Sequence, residues 1–295
     1  MSELIATFSI VAYDPHKQEW GVAVQSKVLA AASVVSWAQA QAGAVATQAW
    51  ANGSYGPRGL ELLASGLSAK EVVDRLVDAD EGKEHRQLGI VDSQGRAAAY
   101  TGPECLDWAG HVIGDGYTCQ GNILVSQDTA LAMATRFEAT QGPLSKRLVA
   151  SLTAAQEAGG DRRGRQSAGL LVVREGAGYG GHTDRYIDLR IDDHAEPIKE
   201  LGRLLDMHAL YFGKHEPQEW VAIEGKVLHF LQELLKETGY YQGPVEPELT
   251  GRFQASILRF HSCENFEEKY REGYLAREIY EHLRRYGLKH CPPGC

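Results

Sequence analysis

No stretch of this chain is apolar over the roughly 18 residues that a membrane-spanning helix needs, so a helical membrane protein is not expected. Basic residues are in deficit: 30 Lys and Arg stand against 39 Asp and Glu, a formal charge of −9. A surface that tracks phosphates needs the opposite surplus, which makes nucleic acid an unexpected partner. Cysteine is sparse. Cys105, Cys119, Cys263, Cys291 and Cys295 are scattered and odd in number, which is no disulfide framework and agrees with a reducing compartment. Cys291 and Cys295 flank Pro-Pro-Gly in the tail, short of the about four ligands a structural zinc takes. Neither a metal nor a cofactor is expected. The opening MSELIA lacks the basic start and apolar run of a signal peptide, so the expected location is cytoplasmic. There is no internal repeat and no low-complexity tract.

What the chain does have is an ordinary apolar share over 295 residues, enough for one large domain and one small one. Residues 7–13 and 20–25 are β-branched and aromatic, with Asp14-Pro15-His16-Lys17 as turn chemistry between them. A third strand is expected near residues 44–49. Two helices follow: Pro57 suits a first turn, and Ser68 with Glu71 has the spacing of a capping box. A hairpin is read at 87–91 and 97–100, then a strand near 117–124, helices at 127–138 and 143–157, a hairpin at 168–173 and 186–191, and a helix opened by Pro197. Hairpins alternating with helix pairs suggest two largely antiparallel sheets with helices outside. From Gly213 the composition shifts to a polar linker and a charged helical stretch. The expected domains are residues 1–212 and 213–289, with a tail at 290–295.

Gly176-Ala177-Gly178-Tyr179-Gly180-Gly181 matches G-x-G-x-x-G but precedes a strand. A dinucleotide loop passes from strand into helix, so this one reads as a hairpin connection.

The element order, with Thr7 opening the first strand, resembles the four-layer N-terminal-nucleophile (Ntn) hydrolases, the class of proteasome subunits and aspartylglucosaminidase. More closely, TFSIVAYDP, GAVATQAW, SYGPRGLELL, QGNIL, GGDRRGRQSAGLLVV and RYIDLRIDDH resemble an uncharacterised prokaryotic family described as Ntn-hydrolase-like. The resemblance implies an α+β fold, a four-layer αββα sandwich with two largely antiparallel sheets. The segment LHFLQELLKETGYYQGPVEPELTGRFQASILRF resembles a small helical peptidoglycan-binding-like domain known as a fusion partner of that family. It departs from the pattern at Pro247-Glu248-Leu249, where Gly is usual.

Ntn catalysis uses a Thr, Ser or Cys side chain on a free α-amine, whose pKa near 8 suits it to take the nucleophile's proton. Thr7 is the candidate nucleophile, and the chemistry requires that the Ala6–Thr7 bond be cut or translation start later. An ordinary strand threonine is the plain alternative. Lys27, just past the second strand, is a candidate cation beside the nucleophile, or else a solvated lysine. By resemblance the turn at residues 160–167 supplies an acid and a serine, and Asp161 and Ser167 are the matching types. Its Arg162, Arg163 and Arg165 also make a trap for a substrate carboxylate, unless the turn is merely solvated. Gln48 in GAVATQAW is a further substrate-binding candidate, and the Asn122 amide a candidate oxyanion donor or turn residue. The polar run from Asp184 to His194 is explained by mutual pairing along a strand, and a metal site of His194 with Asp192 or Asp193 is the alternative.

The expected function is an Ntn-type amidohydrolase acting on a small anionic amide or peptide-like substrate. A non-catalytic binder of small molecules or proteins on the same fold, and a peptidoglycan-binding adaptor, are the alternatives. A homo-oligomer is left open. Peptidoglycan is an unexpected ligand for a chain without an export signal. Leu228, Leu231 and Leu235, then Phe253, Ile257 and Phe260, form apolar stripes suited to packing. The module is therefore expected to dock on its own first domain or a neighbour's.

Overall fold

The computed structural model describes residues 7–213 and 219–288; the tail expected at 290–295 lies outside them. The chain forms two compact units that divide between Leu205 and Asp206.

In the first unit β1 (Thr7–Asp14) and β2 (Glu19–Ser26) form an antiparallel pair. β2 also pairs with β9 (Ser167–Val173), and β1 with β8 (Tyr117–Asn122). With β10 (Arg185–Ile191) and β7 (Gly110–Gly114) at the edges, the order of this six-stranded sheet is β10-β9-β2-β1-β8-β7. A four-stranded antiparallel sheet has the order β3 (Ser36–Gln39), β4 (Gly43–Ala49), β5 (Arg86–Asp92), β6 (Ala97–Thr101).

Side-chain alternation explains the layers. Phe8, Ile10 and Ala12 of β1 face away from the second sheet, where they pack with Met133 and Phe137 of α4 (Asp128–Ala139) and with Leu144, Leu148 and Leu152 of α5 (Leu144–Glu157). Val11 and Tyr13, one residue out of phase, meet Ala44 and Ala46 of β4 between the sheets. On the far face of the second sheet, Val45, Leu88 and Ile90 pack with Leu63 of α2 (Tyr55–Ala64) and with Val72, Val73 and Leu76 of α3 (Ala69–Asp78). The packed order is helix pair, sheet, sheet, helix pair. β1 is buried at all eight residues, as a central strand clamped on both faces must be. The capping box of Ser68 and Glu71 is formed at the start of α3. Cys105 and Cys119 are buried thiols, and Cys263 is disulfide-bonded.

α1 (Ala32–Val35), β3 and β7 lie where the sequence reading has no elements. β3 is four residues of Ser, Trp, Ala and Gln, and β7 is bracketed by glycines, so neither carries the run of β-branched residues by which strands are recognised. The Gly-rich segment 176–181 connects β9 to β10, as a hairpin loop should.

α6 (Pro197–Phe212) places Ile198 and Leu201 in the first unit's core and Leu210 in the second's. The second unit contains α7 (Gly225–Glu237), α8 (Gly251–Cys263), α9 (Arg277–Tyr286) and a small sheet of β11 (Trp220–Ala222), β13 (Tyr274–Ala276) and β12 (Tyr270–Arg271). Both expected stripes are in its core, from Leu228, Leu231 and Leu235 to Phe253, Ile257 and Phe260. Thr250 caps α8, its hydroxyl accepting from the Phe253 N–H.

Candidate active site

The space between the two sheets is apolar in its middle and polar at one end. On the first sheet, Asn122 of β8 pairs with Thr7 of β1, Thr7 with Ser26 of β2, and Ser26 with Ser167 of β9. These four residues occupy one register row across four neighbouring strands. On the second sheet, Gln48 of β4 pairs with Gln87 of β5, and Gln87 with Thr101 of β6. Thr7, Ser9, Ser26, Gln48, Gln87, Gln120 and Asn122 are all completely buried.

Burying so many polar groups is tolerable only if they satisfy one another, and the network that does so has a defined polarity. Gln87 Nε2 donates to the carbonyls of Gly121 (2.8 Å) and Gly110 (3.1 Å) and to Thr101 Oγ1 (3.0 Å). Backbone carbonyls only accept, so the Gln87 amide cannot be turned round. Its Oε1 therefore accepts from Gln48 Nε2 at 2.8 Å and from Asn122 Nδ2 at 3.1 Å. That leaves Gln48 Oε1 to accept from Ser9 Oγ (2.6 Å), while Ser9 accepts from Gln120 Nε2 (2.7 Å) and Gln120 Oε1 from Thr118 Oγ1 (2.7 Å). Two main-chain carbonyls thus fix the orientation of three further amides. Gly89 makes room for the network: a Cβ there would come within 2.3 Å of Gln120 Oε1.

Thr7 Oγ1 lies 3.1 Å from Ser26 Oγ and donates to it, and the Thr7 carbonyl accepts from Gln48 Nε2 at 3.4 Å. Asn122 Oδ1 is a buried acceptor without a partner among the described residues. The residues that follow the two amide-bearing strand ends are both left-handed: Ala49 after Gln48 (φ 66°) and Ile123 after Asn122 (φ 53°). A β-branched residue in that region is an outlier that costs on the order of 1–3 kcal/mol, and such strain collects at functional sites. At the open end of the layer Thr101 Oγ1 is 2.9 Å from His111 Nδ1, and desolvation of that ring lowers its pKa.

The other singled-out residues take different positions. Lys27 is exposed, and its backbone N–H, not its ammonium, bonds Asp161 Oδ2 at 3.1 Å. Asp161 is buried and also accepts from the Arg163 N–H at 2.9 Å, with the Arg163 guanidinium 3.3 Å away. Ser167 Oγ donates to the Val28 carbonyl (2.6 Å) and accepts from the Ala31 N–H (3.1 Å). Asp161 and Ser167 therefore fasten the loop after β2 to the turn before β9. The arginines of that turn do not converge. Arg162 donates to the Leu124 carbonyl at 3.3 Å and Arg165 lies 3.8 Å from Glu196. Among the described residues no group of His, Cys, Asp and Glu could hold a metal ion.

Ser9, Ser26 and Gln87 enter the site without having been singled out, and Gln120 lies in the strand expected near 117–124. The available signal is the polar phase of β1, Thr7 then Ser9 opposite Phe8 and Ile10, together with amide residues recurring at strand ends.

Behind Gln48, the chain turns at a second polar cluster. Asp80 accepts from Arg86 Nε, Asn52 Nδ2 and the Tyr55 hydroxyl, each at 2.9 Å, and from the Gly82 N–H at 2.8 Å. Burial alone would raise its pKa, but these donors together hold it well below the ordinary carboxylate range.

Fold and site define a largely antiparallel α+β protein with a buried polar layer at one end of its inter-sheet space. The chain belongs to a family of unknown function, DUF1028, whose model matches residues 7–201. Residues 211–283 match a second model, described as "Putative peptidoglycan binding domain". Among solved structures the chain is similar to protein SPO2555 from Silicibacter pomeroyi, itself a DUF1028 protein. The two are 32% identical, with 69% of this chain and 89% of that one covered and a TM-score of 0.63. No curated protein matches this chain.

Proposed function

We propose that the first unit is an Ntn-type amidohydrolase for a small anionic amide or peptide-like substrate, active once Thr7 becomes N-terminal. The observation that carries this reading is the register row Asn122–Thr7–Ser26–Ser167, which sets a hydroxyl at the first residue of a central strand inside a pre-oriented polar layer. In this reading the Thr7 hydroxyl adds to the substrate carbonyl carbon, and its proton passes to the α-amine directly or through water. The tetrahedral intermediate expels the amine product, which takes that proton, and leaves an ester on Thr7. Water then hydrolyses the ester, releasing the acid and restoring the hydroxyl. Gln87 uses one of the two Asn122 Nδ2 hydrogens, and the second is available to an oxyanion. Lys27 supplies positive charge one residue beyond Ser26, and the exposed Arg162 and Arg165 meet the anionic end of the substrate.

A chain engineered to begin at Thr7 after Met removal should hydrolyse members of an amide panel, and Thr7→Ala in that chain should fold and be inactive. Equal turnover by the alanine variant would exclude Thr7. Replacing Arg162 and Arg165 together by Gln should raise KM for anionic substrates about tenfold or more, each charge-assisted bond contributing about 1.5–3 kcal/mol.

The second reading is a binding protein that never frees Thr7. The complete burial of Thr7 favours it, and the intact mass of the purified protein decides: loss of residues 1–6 supports the enzyme, full length the binder. Cytoplasmic location belongs with the proposal.

A further inference from the structure

The edge strands of the two sheets, β10 and β3, leave a half-open cavity of about 260 Å³ between them. Its walls are Ala32, Ala38 and Leu171, with Trp37 and Leu60 at the side, Ser33 and Ser36 of the α1–β3 segment, and Arg185, Asp188 and Arg190 of β10. Asp188 and Arg190 pair with Leu171 and Gly169 of β9. Leu171 belongs to the core between the sheets, so these charged side chains stand on the inter-sheet face where the second sheet no longer covers it. The first unit's proposed reaction makes no use of this cavity. Ser167, the near end of the Thr7 row, is four residues along β9 from Leu171, roughly 13 Å away.

The geometry points to a second ligand site here, for a small monocarboxylate with a compact apolar body. Three observations carry it. First, the lining holds one more cation than anion: Arg185 and Asp188 are joined at 2.8 Å, and Arg190 pairs outside the lining. Among the described residues its ionic partner is Asp192, a surface pair with both side chains about half exposed (42% and 50%) that takes the Arg190 Nε and Nη2 atoms. Exposed pairs of that kind contribute about 0–1 kcal/mol, so a carboxylate entering the cavity can displace Asp192 and be gripped by the same two nitrogens. Second, Ser36 lines the cavity, and its Oγ, turned inward, has no hydrogen-bond partner among the described residues; a change of rotamer would bring it to the cavity. A hydroxyl left so is costly, and a ligand oxygen would satisfy it. Third, the apolar wall is fixed before any ligand arrives. The Trp37 indole N–H donates to the Val34 carbonyl at 2.8 Å, and its ring lies so close over Gly56 that a Cβ there would come within 2.2 Å of it. A cavity this size is below the usual range for drug-sized ligands, which limits the occupant to a few heavy atoms beyond the carboxylate.

Titration calorimetry of the full-length protein with 3-methylbutanoate, and with 3-methylbutan-1-ol as its uncharged counterpart, tests the site. Saturable binding of the acid in the millimolar range or tighter is expected, with none of the alcohol. Arg190→Gln should weaken binding at least tenfold and Ser36→Ala several-fold, while Thr7→Ala leaves it unchanged. Ser36→Ala decides the matter should Arg190→Gln fail to fold. Absence of saturable heat at about 10 mM, well above a millimolar Kd, or equal affinity in the folded cavity variants, would overturn the site. Loss of binding in Thr7→Ala would also overturn it, by placing the acid in the Thr7 row. None of these results depends on whether Thr7 is catalytic.

Discussion

Gln87 and Asn122 belong to different sheets, and the 3.1 Å hydrogen bond between their amides joins the two halves of the polar layer. Its direction is dictated by the Gly110 and Gly121 carbonyls that hold the other end of the Gln87 amide. Gln87→Leu removes the acceptor of Gln48 and Asn122 and the donor to the Gly121 and Gly110 carbonyls at once. Each stranded group costs on the order of 1–3 kcal/mol. The expected loss is about 4 kcal/mol or more in urea denaturation of the first unit, larger than for an exposed glutamine such as Gln94. A loss below about 1 kcal/mol would mean that water replaces the amide.

Gly89 lies beneath the same network, and a methyl group there would meet Gln120 Oε1 and Thr118 Oγ1 at 2.3 and 2.5 Å. Gly89→Ala is expected to destabilise by about 1–3 kcal/mol through overpacking. Because the collision is with side chains, Gln120→Ala should relieve the part of that penalty that does not fall on Thr118, and a double-mutant cycle of the two reads the coupling directly.

The Asp80 cluster gives the first unit a response to acid. Its folded pKa is depressed by its four donors, so the carboxylate's contribution is complete above the unfolded value of about 4 and is lost as pH falls toward the folded one. Asp80→Asn should flatten the stability profile of the first unit below about pH 4, as followed by denaturant midpoints at a series of pH values. A profile unchanged by the substitution would place the acid sensitivity elsewhere.

The second unit responds in a different window. His261 is buried in α8 with Nδ1 on the Ile257 carbonyl, between the rings of Phe260 and Tyr270. Desolvation lowers its pKa to about 4, against the carbonyl and Glu267, which act to raise it. A histidine with a depressed folded pKa stabilises above its unfolded value near 6.5, and that contribution is lost as pH falls from there to about 4. The span corresponds to about 3 kcal/mol. His261→Phe should remove this dependence, and thermal melts between pH 7 and pH 4 follow it.

Much of the first unit was legible because its elements obey strong local rules. The Ser68–Glu71 capping box starts α3 where the spacing demands, and the two-phase apolar pattern of β1 marks a strand covered on both faces. β3, β7 and the two- and three-residue strands of the second unit depend on their neighbours for existence, and no local pattern announces them. The site divides the same way. Thr7, Gln48 and Asn122 were open to inspection as strand-end polar residues. That Gln87 would join them across the sheets is a fact of pairing and register, which composition and periodicity do not contain. The arginine turn shows the same limit: Arg162, Arg163 and Arg165 are neighbours in sequence, and each has a separate partner in space.

The register row has a consequence for how the protein acquires its site. Strand side chains alternate with a period of two, so a slip of β1 by one residue would carry Thr7 and Ser9 into the oily space beneath α5 and push Phe8 and Ile10 among the glutamines. Chains that have closed the central sheet in register carry the complete row, so the row is assembled together with the topology itself.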